Sequence, residues 1–215
     1  MNPSRDKIPG LNGKTCLFAH FSQLATVTLL RIVCQSSYIC LPKNQWTMNY
    51  KKVNNLTGWV ICLIACLVYI LTMEASGSFW DCGEFVSSAY KLQIPHPPGA
   101  PLFVMMGRFF IVLFGDNPHT AARAVNFMSA ILSGLTILFL FWSITHFARK
   151  IVQKNTIPLT SQQVFTIMAA GAVGVLAYTF CDSFWYSAVE GEVYGSSSFF
   201  TALVFWAILK WEDES

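Results

Sequence analysis

The sequence is short of charge. Only 12% of its 215 residues are Asp, Glu, Lys or Arg, whereas a soluble globular domain carries about 25%. Hydrophobic residues make up 54% of the chain, so too little polar surface is left to cover a core that faces water. The formal net charge of +3 is too small to indicate a nucleic-acid partner. The composition therefore excludes a soluble domain and predicts an integral membrane protein.

The cysteines also lack the spacing of a metal site or a redox motif. The seven cysteines include no Cys-x-x-Cys pair. Cys62 and Cys66 lie inside an apolar run, where a thiol behaves as a small hydrophobe. Cys82 and Cys181 are expected near the outer surface, and free thiols are favoured over a disulfide between them.

Four long runs without a charged residue organise the chain. They are residues 56–73, 124–145, 164–181 and 193–209. Each run is close to the roughly 20 residues with which a helix crosses a bilayer. We therefore predict an all-α membrane protein with four transmembrane helices.

One further apolar segment, residues 102–115, is too short to span and has Arg108 in its middle. We predict that it forms an external-loop helix, interfacial or re-entrant. The stretch 21–41 is a poor span as well, because Arg31 lies at its centre among many polar residues.

Basic clusters predict the orientation. They are Lys51 and Lys52 before the first run, and Arg149, Lys150 and Lys154 after the second. The positive-inside rule places both clusters in the cytoplasm only if segment 102–115 does not cross. Residues 48–215 then begin and end in the cytoplasm, and the loops 74–123 and 182–192 face outside.

The two ends of the chain differ from its middle. Residues 1–47 are polar and without periodicity, and Met48-Asn-Tyr-Lys-Lys resembles a normal start before a first membrane helix. No cleavable signal peptide is visible. We expect residues 1–47 to be a disordered or mis-annotated extension. Residues 48–215 are then one membrane domain, truncated at its C-terminus from a larger protein.

The first external loop holds the stretch that is richest in chemistry. Asp81 and Glu84 are three residues apart, so they share a face if they lie on a helix. Such a pair could serve as a general base, a cation ligand or a clamp for an acceptor. The alternative is that Asp81 caps the helix and Glu84 stabilises its dipole. Spacing alone favours this alternative.

His96 follows in a proline-rich loop. The prolines at positions 95, 97, 98 and 101 fix φ and remove backbone donors. The histidine is therefore held in place. It either binds a phosphate or an acceptor, or hydrogen-bonds the backbone to hold the loop.

Two arginines are predicted on the outer face, where the positive-inside rule expects few basic residues. Arg108 and Arg123 either pair with a nearby acid, such as Asp81, Glu84 or Asp116, or hold the phosphate of a lipid-linked substrate. A guanidinium suits phosphate oxygens well. The second external loop adds polar groups on the same side of the membrane, namely Glu190, Glu192 and Tyr194.

The order of these motifs resembles a known family. The segments are Phe79-Trp-Asp-Cys-Gly-Glu-Phe, Tyr90-Lys-Leu, His96-Pro-Pro-Gly-Ala-Pro-Leu and Val189-Glu-Gly-Glu-Val-Tyr. They resemble a bacterial multi-pass family, domain of unknown function 2723, which is related to the protein O-mannosyltransferases. The resemblance covers about residues 48–212. It implies the N-terminal part of a C-type glycosyltransferase fold in the inner membrane, with a periplasmic active face.

The activity that this resemblance implies is transfer of a sugar from a polyprenyl-phosphate donor to an acceptor hydroxyl, of a protein Ser or Thr or of a glycan. Asp81 matches the acidic catalytic residue of the wider superfamily. That pattern has adjacent Asp and Glu, whereas Cys82 and Gly83 separate Asp81 from Glu84 here. Asp81 and Glu84 are thus the candidate catalytic residues. The candidate substrate contacts are His96, Arg108, Arg123, Glu190, Glu192 and Tyr194. No cofactor is predicted, and a divalent cation stays open.

Two other classes of function stay open. A non-catalytic membrane scaffold or a glycan-binding subunit could keep the same loop. A transporter fits less well, because transporters place ionisable residues within their spans near the midplane. The four uncharged runs contain no Asp, Glu, Lys or Arg.

Overall fold

The part of the chain that the structure describes is helical. The structure is a computed structural model, and it describes residues 49–78, 81–97, 99–153 and 159–214. In these ranges there are seven helices and no strand. They are α1 (Tyr50–Thr72), α2 (Cys82–Lys91), α3 (Pro101–Leu113), α4 (Pro118–Val152), α5 (Ser161–Thr179), α6 (Asp182–Val189) and α7 (Val193–Glu214). The all-α prediction is confirmed for these ranges. The expectations for residues 1–47, Phe79, Trp80, Pro98 and Lys154 fall outside them.

Four of the helices, α1, α4, α5 and α7, are long and apolar enough to cross a membrane. Each of them covers its predicted run, apart from the last residue of the first run and the last two residues of the third. Each helix also extends beyond its run by three to seven residues at one or both ends. The helix α3 has 13 residues and is too short to span. The chain is therefore a membrane protein with transmembrane helices, as predicted.

Local sequence signals set several helix ends. Asn117 precedes Pro118 at the start of α4, and its side chain accepts a hydrogen bond from the backbone N–H of His119 at 2.9 Å. Thr160 and Gln163 form a reciprocal capping box at the start of α5. Short polar caps accept hydrogen bonds from backbone donors that a helix leaves unpaired, and proline at the first helical position removes one such donor.

The helix α4 is the central element, and it contacts each of the other six helices. Its 35 residues extend over roughly 52 Å at 1.5 Å per residue, well beyond a hydrocarbon core of about 30 Å. It is therefore long enough to support helices outside the bilayer. Phe85 of α2 and Phe103 and Ile111 of α3 are buried against Ala121 and Val125 in the first turns of α4.

Small residues allow the other spans to approach α4 closely. A Cβ atom on Gly134 of α4 would overlap the Sγ of Cys66 on α1. A Cβ atom on Gly171 of α5 would lie 2.7 Å from the Cγ2 of Thr145 on α4. Lipid tails are as apolar as leucine, so helices associate in a membrane through close packing of this kind.

The two predicted external loops lie at the same end of the bundle, which we call the loop end. The hydroxyl of Tyr69, late in α1, donates to the carbonyl of Thr179 at the end of α5 at 2.9 Å. The side-chain amide of Asn126, early in α4, donates to the carbonyl of Glu74 after α1 at 2.9 Å. Because α3 packs on α4 without crossing, segments 74–123 and 182–192 both belong to this end.

The start of α1 and the ends of α4 and α7 meet at the opposite end. Tyr50 donates its hydroxyl to the carbonyl of Thr145 at 3.2 Å, and Lys150 pairs with Glu212 at 2.7 Å. We call this the basic end, because it holds Lys51, Lys52, Arg149, Lys150 and Lys210.

The helix α3 buries one face and exposes an apolar one. Phe103 and Ile111 are buried. The exposed side chains are Leu102, Met105, Phe109, Val112 and Leu113. An exposed apolar face suits a helix that lies along the membrane interface, and this placement stays a prediction.

The geometry predicts the sidedness of the chain. Reporter fusions after Gln153 and after Lys210 should both report the cytoplasm, and a fusion after Asp116 should report the opposite side, because the basic end follows the positive-inside rule. A signal after Gln153 from the same side as the one after Asp116 would contradict this arrangement.

The close contact between α1 and α4 predicts a specific loss of stability. Gly134→Ala should lower the free energy of unfolding by about 1–3 kcal/mol, as expected when a packed interface is overfilled. Thermal or denaturant unfolding in detergent measures this. Gly83→Ala is the matched control, since a Cβ atom there meets nothing within 4 Å. Equal effects of the two substitutions would contradict the packing described.

Candidate functional site

The candidate site lies at the loop end, where the start of α2, the proline-rich loop and the turn between α6 and α7 meet. Its members are acidic side chains with one thiol and one imidazole. We call this group the acidic cluster; it consists of Asp81, Cys82, Glu84, His96, Glu190 and Glu192.

Glu84 holds His96 with both carboxylate oxygens. Its Oε1 accepts from the backbone N–H of His96 at 2.6 Å, and its Oε2 lies 3.0 Å from the ring Nδ1. The hydrogen bond and negative charge of Glu84 raise the pKa of His96, and the hydrogen bonds from His96 lower the pKa of Glu84. The histidine is thus held in place, as the prolines predict, and the Glu84 carboxylate contacts both its backbone and its ring.

Asp81 occupies the N-cap position of α2, but its side chain makes no capping hydrogen bond. The capping alternative that spacing favoured is therefore wrong for Asp81. Its exposed carboxylate lies 4.0 Å from the Nε2 of His96, measured from Oδ2. An exposed carboxylate next to an imidazole can accept a proton from a bound hydroxyl.

Cys82 joins α2 to the second loop. Its Sγ lies 3.2 Å from Glu192 Oε1 and 3.6 Å from Glu190 Oε2. Burial and the hydrogen bond with Glu192 raise the pKa of Cys82, so the thiol stays protonated and donates. Burial raises the pKa of Glu192, and the nearby charges of Asp81 and Glu190 add to this. The prediction of free thiols is confirmed for Cys82 and Cys181.

Asn126 was missed by the sequence analysis. This buried side chain of α4 donates to the carbonyls of Glu74 at 2.9 Å and Ser76 at 3.3 Å. Its Oδ1 would lie 3.0 Å from a Cβ atom on Gly191. The amide therefore holds the chain just after α1 and packs closely against Gly191, which lies between Glu190 and Glu192 of the acidic cluster. The sequence contained a signal for Asn126, because an amide inside an otherwise apolar span is costly unless it has hydrogen-bond partners.

The two candidate arginines differ in their surroundings. Arg108 forms a two-pronged ion pair with Asp116 at 2.6 and 3.0 Å and donates to the carbonyl of Tyr90 at 2.9 Å. Arg123 is exposed one turn before Asn126. Within the described residues Arg123 has no ion-pair partner. Arg108 thus follows the pairing alternative, and the exposed guanidinium at this end is that of Arg123.

Tyr194 lies in the first turn of α7 and is exposed. Glu190 and Glu192 lie in the turn just before it and contact Cys82. The structure thus brings both glutamates into the acidic cluster and leaves Tyr194 on the surface beside it.

Three members of the cluster could hold a cation. Asp81, Glu84 and His96 are exposed, and each offers a ligand atom within 4.8 Å of the others. Carboxylate and imidazole groups bind divalent metals.

Comparison with known proteins gives the family of this chain. The family model for the protein O-mannosyl-transferase TMEM260 N-terminal domain matches residues 81–215. This region begins at Asp81 and contains all members of the acidic cluster. No solved structure matches the chain.

Two curated relatives are similar to the chain. The protein O-mannosyl-transferase tmem260 of Dictyostelium discoideum is 24% identical over 159 residues, 71% of this chain and 17% of that protein. The protein O-mannosyl-transferase TMEM260 of Mus musculus is 25% identical over 149 residues, 68% of this chain and 18% of that protein. The chain therefore spans less than a fifth of the length of these relatives.

These matches confirm the predicted relation to protein O-mannosyltransferases. The bacterial family, the C-type fold and the inner membrane stay predictions. The matched region covers well over half of the chain and includes the loop, the cluster and three of the four spanning helices. The chain belongs to the family of the protein O-mannosyl-transferase TMEM260 N-terminal domain.

Proposed function

We propose that this chain is the N-terminal membrane part of a glycosyltransferase that acts on proteins. In this proposal a sugar moves from a polyprenyl-phosphate donor to the hydroxyl of a Ser or Thr side chain. The reaction takes place at the loop end, on the membrane face opposite the cytoplasm. The observation that carries the proposal concerns Asp81, which lies in the region that matches the family. Its carboxylate is exposed and makes no capping hydrogen bond to the helix.

Asp81 is the proposed general base. It accepts the proton of the acceptor hydroxyl as that oxygen attacks the anomeric carbon of the sugar. The bond between this carbon and the phosphate oxygen breaks, and the lipid phosphate leaves with the electron pair, so the configuration inverts. His96 lies beside Asp81, and its Nδ1–H donates to Glu84. In the imidazolium form, which the raised pKa of His96 favours, Nε2–H is a hydrogen-bond donor for the leaving phosphate.

Glu84 is better described as a positioning residue than as a second base. Both of its carboxylate oxygens are occupied by His96, and its hydrogen bonds hold the ring so that Nε2 points toward Asp81 at 4.0 Å. Glu192 is also proposed as a positioning residue, because its contact with Cys82 links the second external loop to the start of α2.

Arg123 is the proposed phosphate ligand. A guanidinium binds phosphate oxygens with two parallel hydrogen bonds when it is not already engaged. Arg108 is engaged by Asp116 and by the carbonyl of Tyr90. Arg123 is exposed at the same end of the bundle, so it can turn toward a lipid phosphate at the membrane surface.

Asp81→Asn should reduce sugar transfer by roughly 10²-fold or more, in line with the contribution of a general base. Folding should change little, since Asn is isosteric and the aspartate makes no capping bond. The measurement is transfer from a polyprenyl-phosphate sugar to a Ser/Thr peptide, in membranes that contain the full-length protein, normalised to folded protein. Asp182→Asn, another exposed acid at this end, is the matched control. Equal rates for wild type and Asp81→Asn would leave a non-catalytic glycan-binding subunit as the better description.

The two arginines should separate in their effects. Arg123→Gln should raise the KM for the polyprenyl-phosphate donor and leave the midpoint of thermal unfolding unchanged. Arg108→Gln should instead lower that midpoint, and Asp116→Asn should lower it too, because both substitutions break the same ion pair. Kinetics and thermal unfolding of the three variants test this. If the KM for the donor rises with Arg108→Gln and not with Arg123→Gln, Arg108 is the phosphate ligand and the proposal for Arg123 is wrong.

A further inference from the structure

A cavity lies at the basic end, away from the acidic cluster. Its volume is about 350 Å³, and its walls come from the start of α1 and the ends of α4 and α7. Three cationic side chains and one acidic side chain line it, namely Lys51, Arg149, Lys210 and Asp213.

The same walls hold polar atoms that are buried without a partner. Asn54 Oδ1, Trp142 Nε1 and His146 Nε2 have no hydrogen bond within the described residues, and all three residues line the cavity. His146 uses its other ring nitrogen, Nδ1, toward Asp213 at 3.4 Å. Buried polar groups without partners are rare, so a cluster of them beside a charged cavity points to a missing polar ligand.

The cationic groups keep donors available for such a ligand. Arg149 donates its Nε to Gln153 at 3.0 Å and lies over the ring of Tyr50. Its remaining guanidinium N–H groups are further donors. Within the part of the chain that the structure describes, Lys51 and Lys210 have no ion-pair partner. The neighbouring Lys150, in contrast, pairs with Glu212 and does not line the cavity.

We propose that this cavity binds the phosphate group of an anionic membrane lipid. Basic pockets between transmembrane helices on the cytoplasmic side bind anionic lipid head groups, and this pocket lies between the ends of three spanning helices at the basic end. The positive-inside rule accounts for the presence of the basic residues. It gives no reason for the unpaired Nε1 of Trp142 and Nε2 of His146 beside this cavity, whereas Asn54 Oδ1 is an acceptor and is not a ligand for phosphate oxygens. A phosphate there bridges α1, α4 and α7 through charge-assisted hydrogen bonds.

The test uses the full-length protein in nanodiscs of phosphatidylcholine alone or with added phosphatidic acid. Lipid retained by the protein is measured by native mass spectrometry, together with the midpoint of thermal unfolding. We expect phosphatidic acid to be retained in preference to phosphatidylcholine and to raise the midpoint. Arg149→Gln with Lys210→Gln should weaken this retention by about tenfold, since two basic contacts are lost.

Two further variants distinguish lipid binding in this cavity from a general attraction of anionic lipid to the basic end. Lys150→Gln removes an equivalent charge beside the cavity and should leave retention unchanged. His146→Asn keeps a polar atom near the position of Nδ1, facing Asp213, but removes Nε2, and should weaken retention with no change in lysine or arginine content. A loss with Lys150→Gln as large as that of the double variant would overturn the proposal. So would equal retention of the two lipids by the wild type.

The source of the phosphate is tested in a parallel arm. Inorganic phosphate and glycerol 3-phosphate are added to the protein in phosphatidylcholine nanodiscs. We expect no rise in the unfolding midpoint at concentrations comparable to those of phosphatidic acid. A rise of equal size would overturn the lipid as the source and assign the cavity to a soluble phosphate compound. Because this cavity lies at the opposite end from Asp81, none of these outcomes depends on the sugar-transfer activity.

Discussion

The close approach of the spans to α4 is the constraint on which the rest of the structure depends. In lipid, helices gain little by burying apolar surface against each other, so they associate where small residues let backbones come near. Gly134 provides this contact for α1, Gly171 for α5, and Gly195 for α7, where a Cβ atom would lie 3.0 Å from Ser133 Oγ. With these contacts made, the long α4 supports α2 and α3 at one end and the basic residues at the other.

Polar chemistry is confined to the two ends of this bundle for the same reason. An unpaired polar group in hydrocarbon is expensive, so the charged side chains gather at the two ends, with most of the described carboxylates at the loop end and most of the described cationic groups at the basic end. Asn126 is a buried amide inside a span, and it has partners in the carbonyls of Glu74 and Ser76. That amide links the membrane packing to the acidic cluster.

Within each pair of similar residues, the partners decide which residue is available for chemistry. Glu84 is fully engaged by His96, whereas Asp81 keeps an uncapped carboxylate. Arg108 is engaged by Asp116 and the carbonyl of Tyr90, whereas Arg123 is exposed. The two members of each pair carry the same charged group, a carboxylate or a guanidinium, so only the contacts distinguish a positioning role from a reactive one.

The sequence by itself determined the spans, because crossing a bilayer demands about 20 apolar residues in a row. It also determined several helix ends, through caps such as Thr160 with Gln163. It could not separate a helix cap from a reactive carboxylate at Asp81, since both have the same spacing to Glu84. The contact of Cys82 with Glu192 joins residues 110 positions apart, and no local pattern encodes such a pair. Only the packing of α2, α6 and α7 on α4 brought those groups together, and only the packing of α1 and α7 on α4 formed the cavity at the basic end.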